Sequence, residues 1–260
     1  MPNNTLIDLL KLRSSTTSVI EPLLNQWMMK GEDRPYLHPK VLEYTRRSTT
    51  RWSTKGRFAA STAGGCQRKG VLLFNGVEAP RNITPRSQRY FDNGYLLHLR
   101  WHSYLLWMSE DPDIPLESLG FEQEVNIPGW WVRGTLDHKI RVGQETFVVD
   151  FKSMNPWYFS NLSKTGALAG HVRQIVIYLK AEKIRKGIIL YENKATQEVQ
   201  EFVIDLDREL LNKSKTHIRR MQSHVRAGTV PDIPRECKAG EYEGKLCRLK
   251  NYCYPDPEED

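Results

Sequence analysis

The chain has 260 residues, 39% of them hydrophobic and 27% charged, with a formal net charge of +7 from 38 Lys and Arg against 31 Asp and Glu. That composition describes a globular domain with enough apolar material for a core. No run approaches the roughly 18 apolar residues that span a bilayer, and the basic balance favours a polyanionic partner over a membrane. The opening MPNNTLIDLLKLRSS has neither the basic start nor the apolar centre of a secretory signal, so an intracellular, cytoplasmic protein is expected. In that compartment its four cysteines are read as thiols or metal ligands before disulfides.

In chain order, residues 1–60 form a helical N-terminal segment. Leu6, Leu9, Leu10 and Leu12 mark one helix, and Val19–Met29 a second with Ile20, Leu23, Leu24, Trp27 and Met28 at helical spacing. Basic residues gather between Arg46 and Arg57, and Ser61–Cys66 leads into Arg68, Lys69 and an apolar turn, Val71–Phe74. Gly76–Ser87, with its two prolines, reads as a loop. A helix is predicted over Arg86–Met108, so dense in Tyr95, Leu96, Leu97, Trp101, Leu105 and Leu106 that it must be buried on most sides. His98 and His102 lie four apart on one face of it, and a core histidine is the default reading of either. Leu119–Ile127 alternates as a strand with Glu122 and Glu124 on one face, where solvated carboxylates are the commoner reading.

Two β-type runs, Trp131–Val142 and Thr146–Met154, then flank a turn whose first central residue is Gly143, which suits a two-residue type II′ hairpin. Counting outward from that turn places Asp137 opposite Asp150, with Lys152 leaving the same face. Facing carboxylates repel, and a hairpin gains nothing from them alone. A divalent cation between them turns the repulsion into binding, and a lysine beside them can offset developing phosphate charge. The plain alternative is a solvated strand face, but Phe147, Val148, Val149 and Phe151 make the second strand look buried.

A helix is predicted over Gly170–Glu182, where Gln174 and Tyr178 share a face and His171 and Arg173 are placed to meet phosphate. Strands at Ile188–Tyr191 and Glu198–Ile204 follow, then a basic amphipathic helix over Leu206–Arg226. The tail holds Cys237, Cys247 and Cys253 and ends in the acidic Pro255–Asp260. With Cys66 these make a set of four thiolates, which suits either a tetrahedral zinc or an iron–sulfur cube.

Gly134-Thr135-Leu136-Asp137 followed by Val149-Asp150-Phe151-Lys152 resembles the core of the PD-(D/E)XK nuclease superfamily. Gly94-x-x-x-His98 before that core and Gln174-x-x-x-Tyr178 after it, 22 residues beyond Lys152, are similar to motifs of its RecB-like branch. One early cysteine and three late ones resemble the iron–sulfur nucleases of the CRISPR-adaptation and AddB types. Their tail is C-x2-C-x5-C. Here Cys237 to Cys247 is longer by seven residues, which leaves the cluster type and the membership of Cys237 open. Tyr191-Glu192-Asn193-Lys194 is similar to a segment of phage-encoded members, which points to a viral or mobile-element origin.

The resemblance covers Ser61 to Cys253 and implies a restriction-endonuclease-like α/β core over 61–235, a mixed central sheet with helices on both sides. Residues 236–260 would be a cysteine-bound segment closing back on Cys66. It further implies a DNA nuclease, an exonuclease on single strands or ends. His98, Asp137, Asp150 and the Phe151 carbonyl would hold Mg²⁺ or Mn²⁺, with Lys152, Gln174 and Tyr178 completing the catalytic set. Cys66, Cys237, Cys247 and Cys253 would hold a [4Fe-4S] cluster or, alternatively, Zn²⁺. Arg173 would contact DNA, and Trp157 and Tyr158, with Trp130, Trp131 and Phe159, would stack on bases. Two rival readings are a non-catalytic nucleic-acid-binding module and a zinc-stapled interaction protein.

Overall fold

The computed structural model describes residues 18–31, 34–47, 54–63, 65–78, 84–206, 208–234, 237 and 247–254. The helix expected around Leu6–Leu12 and the acidic tail lie outside them. Helices α1 (Glu21–Met28) and α2 (Pro39–Arg47) precede a two-residue strand β1 (Phe58–Ala59), a turn of helix α3 (Ala60–Ala63) and α4 (Gln67–Phe74). The long helix α5 (Pro85–Glu110) leads into strands β2 (Leu116–Ile127), β3 (Val132–Val142) and β4 (Glu145–Met154). Helices α6 (Pro156–Thr165) and α7 (Ala169–Glu182), strands β5 (Lys186–Asn193) and β6 (Val199–Asp205), the basic helix α8 (Arg208–Arg226) and a short α9 (Lys250–Cys253) complete the chain.

The six strands form one mixed sheet in the order β1-β3-β4-β5-β6, with β2 also on β3. Side chains alternate along β4 and β5 and build a core on each face. Phe147, Val149, Phe151, Ile188 and Leu190 pack with Leu97, Trp101 and Leu105 of α5 and Leu24 of α1. Val148, Ile189 and Tyr191 pack with Val172, Ile175 and Val176 of α7 and Ile218 and Met221 of α8. This is the architecture expected from the sequence, a mixed sheet with helices on both sides. The N-terminus of α1 is held from the sheet, where the Glu201 carboxylate accepts from the backbone N–H groups of Val19, Ile20 and Glu21 at 2.9, 3.0 and 2.6 Å.

The hairpin turns where expected. Of its two turn residues Gly143 alone has positive φ, at 58°, the II′ pattern. The register also follows, from Val142 opposite Glu145 back to His138 opposite Val149. There the β3–β4 ladder stops, one position short of the pair Asp137 and Asp150. β2 occupies the other edge of β3 along its whole length, from Leu116 opposite Val142 to Ile127 opposite Val132. The edge that β4 leaves is therefore taken up again by β1, with Phe58 opposite Val132 and Ala59 opposite Arg133. Between these two partners, Gly134–Asp137 line a fork in the sheet. Gly134 is the residue on which α3 and α7 close, since a Cβ there would meet Ala60 Cβ at 2.7 Å and Tyr178 Cε1 at 3.3 Å.

Candidate active site

The fork gathers side chains from both faces of the sheet. Asp137 from β3 turns its Oδ2 to the backbone N–H of Phe151, which donates to it at 2.7 Å. Asp150 from β4 is fully buried, and Lys152, two residues on and so on the same face, brings Nζ to 2.6 Å from its Oδ2. Helix α5 supplies His98, whose Nδ1 lies 3.6 Å from Asp137 Oδ2. Its ring also stands edge-on to Phe151, centroids 5.7 Å apart. Helix α7 supplies Gln174, which donates to Asp150 Oδ1 at 3.2 Å and to the Tyr178 hydroxyl at 2.9 Å. Spacing of four residues on one helix makes that last contact possible.

Burial sets the electrostatics. Desolvation pushes the Asp137 carboxyl up to about 6, against the pull of Lys152 and the Phe151 N–H. Asp150 is likewise pushed up to about 6 by desolvation, with Lys152 opposing and Asp137 adding to the rise. Burial alone would lower Lys152, but Asp150 and Asp137 together hold its ammonium above the ordinary range. Burial, with help from Lys152, lowers His98, which keeps its imidazole neutral with a lone pair to give. One ammonium faces two buried carboxylates, with Asp150 Oδ2 paired to Lys152 Nζ at 2.6 Å and Asp137 left, among the described residues, without a cation of its own at that distance. The excess negative charge, the oxygen donors and the neutral imidazole fit a divalent cation.

The other expected residues are placed as follows. Tyr178 is 2% exposed with its hydroxyl on Gln174, so it steadies that amide from inside the core. Arg173, the neighbour of Gln174, points away from the fork into a basic cavity of about 590 Å³ between α7 and α8, shared with Arg208, Lys213, His217 and Arg220. His171 shares a hydrogen bond of 2.9 Å with Tyr191, and burial together with Lys152 lowers it to about 3. Trp157 is 67% exposed on the first turn of α6, its ring edge-on to Tyr158 at 4.8 Å. Two of the aromatics expected to stack on bases are core residues instead. Trp130 and Phe159 are buried in the α7-side core, and Trp131 packs against Phe74 and Arg226.

The residue that sequence reasoning undervalued is Glu122. Between Ser118 and Gly120 the β2–β3 register slips, and Glu122 takes a φ of 50°, uncommon for a side chain of its size. The irregularity turns its carboxylate inward, to 3.1 Å from His102 Nε2, while Tyr44 donates to it at 3.2 Å. Glu124 behaves as expected, exposed and paired with Arg133. Gly120, an isolated glycine in a strand pattern, was the available signal of the bulge.

The cysteines are half-buried thiols. Cys66 caps α4, accepting from Lys69 N, and burial raises its thiol, with smaller contributions from Cys247 and Cys253. Arg68 donates to the carbonyls of Pro231 and Tyr252 at 2.8 and 3.1 Å, and Tyr254 donates to the carbonyl of Cys237.

No protein-family model matches the chain, and no curated protein matches it. Among solved structures it is similar to the protein SSO0001, at 20% identity over 90% of this chain and 95% of that one, with a TM-score of 0.47. It is also similar to the alkaline exonuclease LHK-Exo of Laribacter hongkongensis, at 12% identity over 66% of this chain and 89% of that one, TM-score 0.43. A phage-related exonuclease from Haemophilus somnus 129PT matches at 12% identity over 65% of this chain and 93% of that one, TM-score 0.45. These partial likenesses assign no activity to this chain.

Proposed function

We propose that this chain is a divalent-cation-dependent deoxyribonuclease, an exonuclease hydrolysing phosphodiester bonds in single strands or at DNA ends. The observation that carries the reading is the fork itself: Asp137, Asp150, Lys152 and His98 converge where β3 parts from β4, and Gln174 braces Asp150 from the opposite layer. Asp137, Asp150, His98 and the Phe151 carbonyl would hold Mg²⁺ or Mn²⁺. When bound, such a cation polarises the scissile phosphate and lowers the pKa of an attacking water.

The chain's own residues do the rest. Lys152 Nζ, held by Asp150, orients the water or stabilises charge building on the phosphate oxygens. Gln174 fixes the Asp150 rotamer, and Tyr178 fixes Gln174. The exposed Trp157, with Tyr158 against it, offers a stacking face, and Arg173 with its cavity offers cationic partners for the phosphate backbone. Cys66, Cys237, Cys247 and Cys253 would bind a [4Fe-4S] cluster, or zinc in its place, as a staple with no redox part in hydrolysis.

The test is digestion of end-labelled single-stranded and duplex oligonucleotides with Mg²⁺, with Mn²⁺ and with EDTA, by the wild type and by Asp150→Ala. Metal-dependent cleavage lost in Asp150→Ala is expected. Equal cleavage by that variant, with contaminating nuclease excluded, overturns the assignment.

A further inference from the structure

His102 has no part in the chemistry proposed above, yet it is fully buried and bound at both ring nitrogens. We infer that His98, His102 and Glu122 form a second cation site beside the carboxylate fork, built for a transition-metal ion rather than for Mg²⁺. One ligand atom from each of the three lies within 4.8 Å of the others. Two histidines one turn apart on α5 and a carboxylate from the facing strand make an N₂O donor set. Imidazole nitrogens suit Zn²⁺, Ni²⁺ or Co²⁺, whereas Mg²⁺ and Mn²⁺ prefer oxygen and water.

The surroundings of His102 are those a ligating histidine needs. Its Nδ1 lies 3.0 Å from His138 Nδ1, and His138 Nε2 lies 2.8 Å from Ser118 Oγ. Such partners behind a ligand fix its tautomer and ring orientation. Here they also permit a change of tautomer. Without an ion, Ser118 donates to His138 Nε2, His138 Nδ1–H donates to His102 Nδ1, and His102 Nε2–H donates to Glu122. With an ion on His102 Nε2, His102 Nδ1–H donates to His138 Nδ1, and His138 Nε2–H donates to Ser118 Oγ. Each imidazole carries one proton in both states, and a hydroxyl that both donates and accepts closes the chain either way. The inward turn of Glu122, at a φ that such a residue seldom adopts, is the local strain that brings the third donor into place.

The site shares His98 with the fork proposed above, and Asp150→Asn protein separates the two, because that change weakens the fork by one carboxylate and leaves His98, His102 and Glu122 intact. Co²⁺ titrated into Asp150→Asn protein should bind with ligand-field absorbance in the visible range and resist a large excess of Mg²⁺. Adding Glu122→Gln should weaken Co²⁺ binding at least ~10–100-fold, and removing the brace with His138→Phe should weaken it by a similar factor. Glu124→Gln, at an exposed residue paired with Arg133, should change nothing. Circular dichroism establishes that each variant is folded, and Glu122→Gln, at a half-buried position, stands in if His138→Phe fails to fold. Absence of Co²⁺ binding to Asp150→Asn protein, or binding unaltered by Glu122→Gln, overturns the site whatever the nuclease assay returns.

Discussion

Asp137 Oδ2 accepts the backbone N–H of Phe151 at 2.7 Å, so a carboxylate of β3 bonds the backbone of β4 just past the point where their ladder ends. The bond settles a donor that the parting strands would otherwise strand in the core. It also fixes Asp137 within electrostatic reach of Asp150, giving a net negative charge that Lys152 alone does not cancel.

Asp150→Ala should abolish cleavage while DNA affinity, measured by fluorescence anisotropy with Ca²⁺ in place of Mg²⁺, stays within a few-fold of wild type. A cation ligand is lost, and no phosphate contact goes with it. Matching losses of binding and cleavage would make Asp150 part of the DNA-binding surface.

Lys152→Ala should slow cleavage by ~10²–10³-fold, the scale of losing one positioned charge-stabilising group. Mn²⁺ should still bind, because the carboxylates and His98 remain. Calorimetric titration distinguishes this from a structural role, in which metal affinity falls in step with rate.

The two raised carboxyls give a pH dependence with a definite sign. A carboxyl raised from 3.8 to about 6 in the folded state is stabilising while protonated, and that contribution is lost as pH rises through about 6. Keeping each ionised at neutral pH costs about 3 kcal/mol, taking ~1.4 kcal/mol per pKa unit. A divalent cation should recover much of that cost. Mg²⁺ should therefore raise the melting temperature at pH 7.5 and do little at pH 5, and cleavage should rise through pH 6. An equal Mg²⁺ effect at both pH values would separate ion binding from these groups.

Gly134→Ala should destabilise the fold by about 1–3 kcal/mol, the range for overpacking a closed core. The added methyl would meet Ala60 Cβ at 2.7 Å. Urea denaturation measures the cost. Ala60→Gly in the same chain should restore part of it, and failure to do so would place the strain elsewhere.

Anaerobically purified protein should be brown and carry about four irons per chain, and Cys253→Ala should bleach it. Stoichiometric zinc in colourless protein would replace the cluster with a zinc staple.

Much of the fork was legible in the sequence because it obeys short-range rules. Gly143 pins the hairpin register, and from there the positions of Asp137, Asp150 and Lys152 follow by counting. Gln174 and Tyr178 meet because four residues make about one helical turn. What escaped depended on departures from periodicity. The positive φ of Glu122, two residues after the slip at Gly120, separates it from Glu124, although strict alternation puts the two in one environment. Helix α6 was hidden because Pro156 reads as a breaker. With Asn155 accepting from Trp157 N at 2.9 Å it is a helix start, proline at the first position behind a capping side chain. The two-residue β1 carries no pattern of its own and exists through its pairing with β3. Buried Trp130 and exposed Trp157 look alike in a sequence, since each stands beside a proline or glycine turn.

The division of one edge of β3 between β4 and β1 makes the N-terminal part of the chain a wedge. Antiparallel partners tend to zip until something stops them, and here β1 and Ala60, seated against Val132 and Gly134, hold the place that β4 would otherwise fill. Withdraw them and the hairpin can close by further rungs, pressing Asp137 directly onto Asp150. The spacing of the two carboxylates is thus set from far upstream in sequence, by three residues that take no part in the chemistry.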